Sequence, residues 1–562
     1  MTMKAINRTL IGLAVLAAVP SAFAIKGKTM YHYVAYEAAF WPKNVPATAA
    51  EYPKVQLDKL IGLPFDTLVF APAFGFGSMA ANLKSASYPK HQPLTESRWM
   101  RGMSNAMPAL IKAGADPIAL TAAWCRRNKR EAVVALPVNL LGVHARKPDE
   151  KNAPNSWHCY LWPDFKNQNP DCLISPDGKS PSSFGSGVCV DYTSQKVRDK
   201  FAAIACEIAG KYDIDGIMVD FTMVPTLFRS VAAGGVAAPK EVAMITEMMT
   251  KIKAACKAAG HPVAFSARVP DSIGYCKDIG IDLQGWLDTK LLDYVVLGGG
   301  FQLNRWNAVG DIALKSGTPF YISMTHSGIH VYNDSGYSGD DERLPRNHKD
   351  PCNARIAEAL QCKATGCMYT AEMHWDIGFR FASFCEPYDA KYNRTANKRY
   401  FVSYTNDRAA GGFLKDGFKY RVPQSLLSGS PVDLAKGVAK YTIDIWDDLP
   451  ALARDGIHPV LILATEIVIP SGMDTDVMFN GKLMSCYKKR AGVQMYELDP
   501  KLVKKGENEV VIKSKGKNKR SESAKLGNIA VEVRFDKLSK ERLEKDKAVL
   551  AKKSGKKKGG AK

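Results

Sequence analysis

The sequence predicts a (β/α)8 barrel followed by an all-β sandwich, and three observations carry that prediction. Eight short, nearly continuous apolar runs recur between residue 25 and about residue 390, as strands read when both of their faces are covered. Amphipathic stretches of helical period lie between several of them, and eight strand–helix units in about 360 residues is the size of such a barrel. Beyond about Lys398 the pattern changes to strand-like runs separated by turns. A doubly wound sheet is the competing arrangement. It usually carries a glycine-rich phosphate loop after its first strand, and YHYVAYEAAFW has none.

The elements follow in order. Residues 1–24, MTMKAINRTLIGLAVLAAVPSAFA, combine Lys4 and Arg8 with an apolar stretch at 10–19 and the ending Ala22-Phe23-Ala24. This is the pattern of a secretory signal peptide, with an apolar stretch too short to span a bilayer. The mature chain is expected to start near Ile25 and to be secreted, periplasmic or on the cell surface. No later run reaches about 18 consecutive apolar residues, so no membrane contact is expected after cleavage.

The barrel is expected over residues 25–395. Its strand-like runs are YHYVAY (31–36), TLVFAPA (67–73), EAVVALPVN (131–139), DGIMVDF (215–221), PVAFSARV (262–269), LDYVVLGGG (292–300), PFYISMTH (319–326) and GCMYTAEM (366–373). In TSQKVRDKFAAIACEIAGKY, Val197, Phe201, Ile204 and Ile208 share a helical face, with Thr193 or Ser194 as N-cap. PKEVAMITEMMTKIKAACKAAG opens on proline and closes on glycine, and NARIAEALQCKATG also stops at glycine. Two connections are long: residues 140–192, and HSGIHVYNDSGYSGDDERLPRNHKDPC after the seventh run. Both follow strand C-termini, the face on which barrels build their sites.

The sandwich is expected over residues 396–536, from AKYTIDIWD, PVLILATEIVI, TDVMFNGKLM, VQMYELDP, NEVVIKS and NIAVEVRF. The Asn-Gly of FNGKL marks a hairpin. Residues 537–562 hold eleven Lys or Arg against three acids and read as a basic, disordered tail.

The formal net charge is +21. A basic surface attracts anionic polymers, which for an exported chain means acidic or sulfated polysaccharide. Solubility or cell-surface charge accounts for it equally well. Nucleic acid is not expected, because the tail lacks the interleaved aromatics that base stacking needs. All twelve cysteines follow residue 24, and an even count in an oxidising compartment predicts disulfides of undetermined pairing.

The run YDIDGIMVDF places Asp220 at the end of the fourth strand, on the expected catalytic rim, with Asp213 and Asp215 at the opposite end. Glu37 follows the first strand, Arg268 and Asp271 the fifth, and Glu372 the eighth. Glycoside hydrolysis needs two carboxyl groups, one protonated and one ionised. Asp220 with Glu372 spans the barrel and suits an inverting reaction. Asp220 with Asp271 lies on neighbouring strands and suits a retaining one. The alternative for Asp220 is a structural carboxylate holding Arg268. Among rim histidines, His144, His326 and His374 are expected to bind sugar hydroxyls or orient carboxylates. With His330 they offer a metal-dependent alternative, but no HxH or HExxH spacing supports it, so neither metal nor cofactor is expected. Trp41, Trp157, Trp162, Trp306 and Trp375 fall at strand ends or in rim loops, where flat rings stack on sugar faces.

The segments VNLLGVHARKPD, CVDYTSQKVRDKFAAIACEIAGKYDIDGIMVDF and ARVPDSIGYCKDIGIDLQGWLDTKLLDYVV, in that order, resemble the family-10-like glycosyl-hydrolase-like barrels of exported bacterial proteins. The resemblance spans roughly residues 30–390. It implies a (β/α)8 barrel acting on or binding polysaccharide, with a C-terminal β-sandwich. Asp220 falls on the fourth-strand motif of that family and Arg268 on the fifth. DGIMVDFT departs from the chitinase form DGxDxDxE: Met218 replaces the middle acid and Thr222 stands where the glutamate belongs. The expected function is therefore cleavage of a polysaccharide or oligosaccharide by paired carboxylates. Non-catalytic glycan binding on the same fold is the main alternative.

Overall fold

The computed structural model describes residues 25–34, 40–42, 44–72, 83–86, 103–139, 164–176, 187–299, 303–325, 349–370, 386–402, 404–405, 413–420, 427–428, 432–434, 438–490, 492–516 and 523–558. Eight parallel strands form a closed ring. They are β1 (Thr29–Val34), β2 (Thr67–Ala71), β3 (Glu131–Pro137), β4 (Gly216–Asp220), β5 (Ala264–Val269), β6 (Tyr294–Leu297), β7 (Phe320–Thr325) and β8 (Gly366–Thr370), and β1 closes against β8. Each of the eight apolar runs forms one of these strands, with ends that differ by a few residues.

Helices cover the outside. They include α1 (Glu51–Gln56), α2 (Pro117–Arg127), α3 (Gln195–Lys211), α4 (Pro239–Lys257), α5 (Ile273–Ile279), α6 (Leu283–Asp288), α7 (Asn307–Ser316) and α8 (Lys349–Gln361). The face of α3 read from the sequence is the buried one, with Val197, Phe201, Ile204 and Ile208 all inside. In α4, proline stands in the first turn, and the Glu241 carboxylate accepts the Ala238 amide at 2.7 Å.

A row of carboxylates pins the N-terminal ends of the strands. Asp66 accepts the amides of Lys28 and Thr29, each at 2.9 Å. Asp215 accepts the Ala132 amide at 2.7 Å, and Asp293 accepts the Phe265 amide at 2.7 Å and Lys253 Nζ at 2.6 Å. Asp213 pairs with Arg126. Acids at this end therefore hold strand starts in register, a structural task far from the C-terminal mouth.

Beyond the barrel lie two antiparallel sheets. One orders Lys398–Phe401, Lys525–Arg534, Val460–Val468, Val493–Glu497 and Cys486–Arg490; the other orders Val438–Ile445, Gly506–Gly516, Met473–Phe479 and Lys482–Leu483. They share a core that includes Tyr400, Ile443, Leu463, Phe479, Val510, Ile512 and Val531. The Asn-Gly turn is formed as expected: Asn480 and Gly481 both take positive φ, 46° and 80°, and Phe479 faces Lys482 across it. The sandwich covers one flank of the barrel. Ala354 and Ala357 of α8 enter its core, Arg534 bridges Asp350 and Glu532, and Arg305 Nε binds Asp444 at 2.8 Å.

Two expectations are corrected. The basic tail forms a helix, α9 (Lys537–Lys558). Its Leu543 packs against Ile462 and Tyr487, and Lys488 and Lys547 bind Asp546 and Glu497 at 2.7 and 2.9 Å. A few such contacts order a segment that composition alone leaves unstructured. Among the described residues Cys125, Cys172, Cys206, Cys256, Cys276, Cys352, Cys367 and Cys486 are thiols outside any disulfide, and six of these eight are buried, where they fill the core as small apolar groups. Cys159 and Cys385 lie outside the described residues. No helix among the described residues is long and apolar enough to cross a membrane.

Candidate active site at the barrel mouth

Asp220 closes β4, directly across from Arg268 of β5. Arg268 Nη1 donates to Asp220 Oδ2 at 3.2 Å, and both side chains are fully buried. The amide and hydroxyl of Thr222 each donate to Asp220 Oδ1 at 2.8 Å, and Arg268 Nε donates to the Gly298 carbonyl at 3.2 Å. The ion pair weighed from the sequence as the alternative role of Asp220 is thus formed. Buried charge needs this pairing, because an isolated carboxylate in the interior is strongly disfavoured.

Sequence reasoning missed His32. In β1 the Tyr33 hydroxyl donates to Gln56 of α1 at 3.2 Å, which puts Tyr33 on the outer face and His32, by strand alternation, on the inner one. The ring is 1 % exposed, and neither nitrogen has a hydrogen-bond partner among the described residues. Burial, reinforced by the Arg268 charge, lowers its pKa to about 4, against a smaller raising effect of Asp220. A polar residue at an inward position of an apolar strand is the signal the sequence offers for it.

The neutral imidazole has a consequence for stability. The unfolded ring takes its proton near pH 6.5, the folded ring only near 4, so stability is lost as pH falls from 6.5 to 4. The loss is about 3 kcal/mol. The curve of unfolding free energy against pH is expected to flatten by that amount in His32→Gln across this window. Equal slopes in both proteins would refute it.

Asp271, two residues past β5, turns to the segment after β6. It accepts the amides of Leu303 at 3.0 Å and Asn304 at 3.1 Å, and Asn304 Nδ2 returns a bond to the Asp271 carbonyl at 2.7 Å. Burial raises its pKa to about 6 against the opposing amide bonds. Its pH effect is opposite to that of His32, with stability gained as pH falls from 6 to 3.8. Asp271→Ala leaves two buried amides without an acceptor and is expected to cost about 2–4 kcal/mol, read as the shift in urea midpoint. A shift equivalent to under about 0.5 kcal/mol would show the clasp to be dispensable.

The glycines after β6 admit a close approach. The group that approaches is the chain's own: a Cβ on Gly299 would stand 2.6 Å from Thr222 Cβ, and Gly298 holds φ at +101°. Trp306 is core rather than sugar platform, 4 % exposed with the Arg355 guanidinium 5.3 Å over its ring. The strand Phe40–Pro42 carries Trp41, whose side chain lies outside the described residues. So do Glu37, His144, Trp157, Trp162, His326, His330, Glu372, His374 and Trp375. Among the described residues no group of three His, Cys, Asp or Glu could hold a metal ion.

No family model matches the chain, and no curated relative does. Solved structures similar to it include glycoside hydrolases. The glycoside hydrolase domain of PgaB (BpsB) from Bordetella bronchiseptica is 10% identical over 61% of this chain and 93% of that one, with a TM-score of 0.34. A GH27 β-L-arabinopyranosidase from Geobacillus stearothermophilus is 10% identical over 90% and 96%, TM-score 0.31. A chitinase from Chromobacterium violaceum is 10% identical over 64% and 98%, TM-score 0.29. The fold of this chain rests on its own closed ring of strands, not on these distant likenesses.

Proposed function

We propose that the chain is an exported glycoside hydrolase that cleaves a polysaccharide through paired carboxyl groups, Asp220 and Glu372. The observation that carries this reading is the position of Asp220 and Arg268 side by side at the C-terminal ends of β4 and β5, the face on which barrels of this kind build their sites. Engagement of Asp271 with Leu303 and Asn304 supports Glu372, two residues past β8, as the second carboxyl group. The fourth and eighth strands stand on opposite sides of the ring, which favours the wide separation of an inverting reaction. Glu37, Trp41, His144, Trp157, Arg268, His326, His374 and Trp375 are assigned to substrate positioning. The signal-like residues 1–24 support export, and the charge of +21 supports an acidic or sulfated polymer.

The test is turnover of a panel of neutral, uronic and sulfated polysaccharides by wild type, Asp220→Asn and Glu372→Gln. Product release by wild type and its loss in both variants supports the assignment; wild-type turnover in both removes it. The complete burial of the Asp220–Arg268 pair favours a second reading, glycan binding without cleavage. That reading is separated from the first by saturable binding with no product released.

A further inference from the structure

His32 faces inward near the mouth with both ring nitrogens lacking a partner among the described residues, and its neighbours define what could supply one. His32 sits beside Thr370 of β8 in register, and Thr370 Oγ1 lies 3.3 Å from Ser323 Oγ of β7. On the β4–β5 side stands the Asp220–Arg268 pair. The floor thus has two halves, a neutral half of imidazole and hydroxyls and an ionic half in which Arg268 is paired with Asp220.

Buried polar groups without partners are rare in native proteins, because each forfeits the hydrogen bonds it had in water. A neutral imidazole offers one donor and one acceptor, and a sugar hydroxyl answers either. An anionic group does not fit this floor: the Arg268 charge is already taken by Asp220, and a second anion would stand against that carboxylate. We propose that His32 is a ligand-binding residue whose ring takes a hydroxyl of an uncharged sugar unit, Thr370 and Ser323 extending the same neutral half. The inference rests on the glycan reading above and narrows it. The basic surface attracts the polymer, while the unit seated on the floor is neutral. With the ring 1 % exposed, contact is through one hydroxyl at its edge rather than a stacked sugar face.

A ring kept unpaired for a ligand lowers stability in the free chain, and this separates a binding role from a structural one. The experiment uses the full chain as wild type, His32→Leu and His32→Gln. Thermal unfolding is followed without sugar. Binding is measured by calorimetry to cellopentaose, maltopentaose, chitopentaose and a heparin pentasaccharide. Leucine has nearly the volume of histidine and no polar atom, so His32→Leu is expected to raise Tm by about 2–4 °C and to weaken binding of a neutral pentasaccharide at least tenfold. His32→Gln keeps a donor and an acceptor and is expected to retain more of the binding than leucine does. A lower Tm in His32→Leu would show that the ring is satisfied internally and overturn the proposal. Full neutral-sugar binding by His32→Leu, or wild-type binding of the heparin fragment alone, would overturn it while leaving the glycan reading intact. A wild type that binds none of the four would remove both.

Discussion

Asp220→Asn and Glu372→Gln are each expected to lower polysaccharide turnover by about 10²–10⁴-fold, the range lost when a positioned general acid or base is removed. Amide replacements keep size and most hydrogen-bonding shape while removing the titrating proton. The two variants differ in what else they disturb. In Asp220→Asn the new amide oxygen can still accept from Thr222, but the buried Arg268 guanidinium loses the Asp220 charge. Turnover must therefore be normalised to folded protein, read by circular dichroism at the assay temperature. A loss confined to Asp220→Asn that disappears on normalisation would assign Asp220 to the fold alone.

Arg268→Ala carries the second large effect. It strands the Asp220 carboxylate in the barrel interior, and breaking a buried pair from one side costs about 3–5 kcal/mol. Urea unfolding is expected to show that drop in midpoint at an unchanged slope. Replacing both partners at once, Asp220→Leu with Arg268→Met, is expected to recover most of the loss, since the stranded Asp220 carboxylate is then removed with its partner. The pair would not be what holds the mouth if the single variant unfolded within about 1 kcal/mol of wild type.

The architecture was legible in the linear chain. Eight runs buried on both faces, spaced by amphipathic helices, leave few arrangements open, and the ring from Thr29–Val34 to Gly366–Thr370 is the one they describe. The same kind of reasoning located Asp220 and Arg268, because the end of a barrel strand is legible once the strand is. It also placed Asp213 and Asp215 at the opposite end, where they hold Arg126 and the Ala132 amide. These features are local, fixed by period, polarity and the direction of the chain.

Which groups meet was settled only when the ring closed. Asp271 and Asp220 sit alike on neighbouring strand ends, yet one accepts backbone amides of the segment after β6 and the other a guanidinium. His32 reads as one residue among tyrosines, and only closure of β1 against β8 sets it within reach of the charges on Arg268 and Asp220. The basic tail turned helical because Leu543 found Ile462 and Tyr487, both far from it in the chain. Composition and period report what each segment prefers alone. Pairing partners, burial and the charge state of a histidine depend on contacts between segments that the linear order does not encode locally.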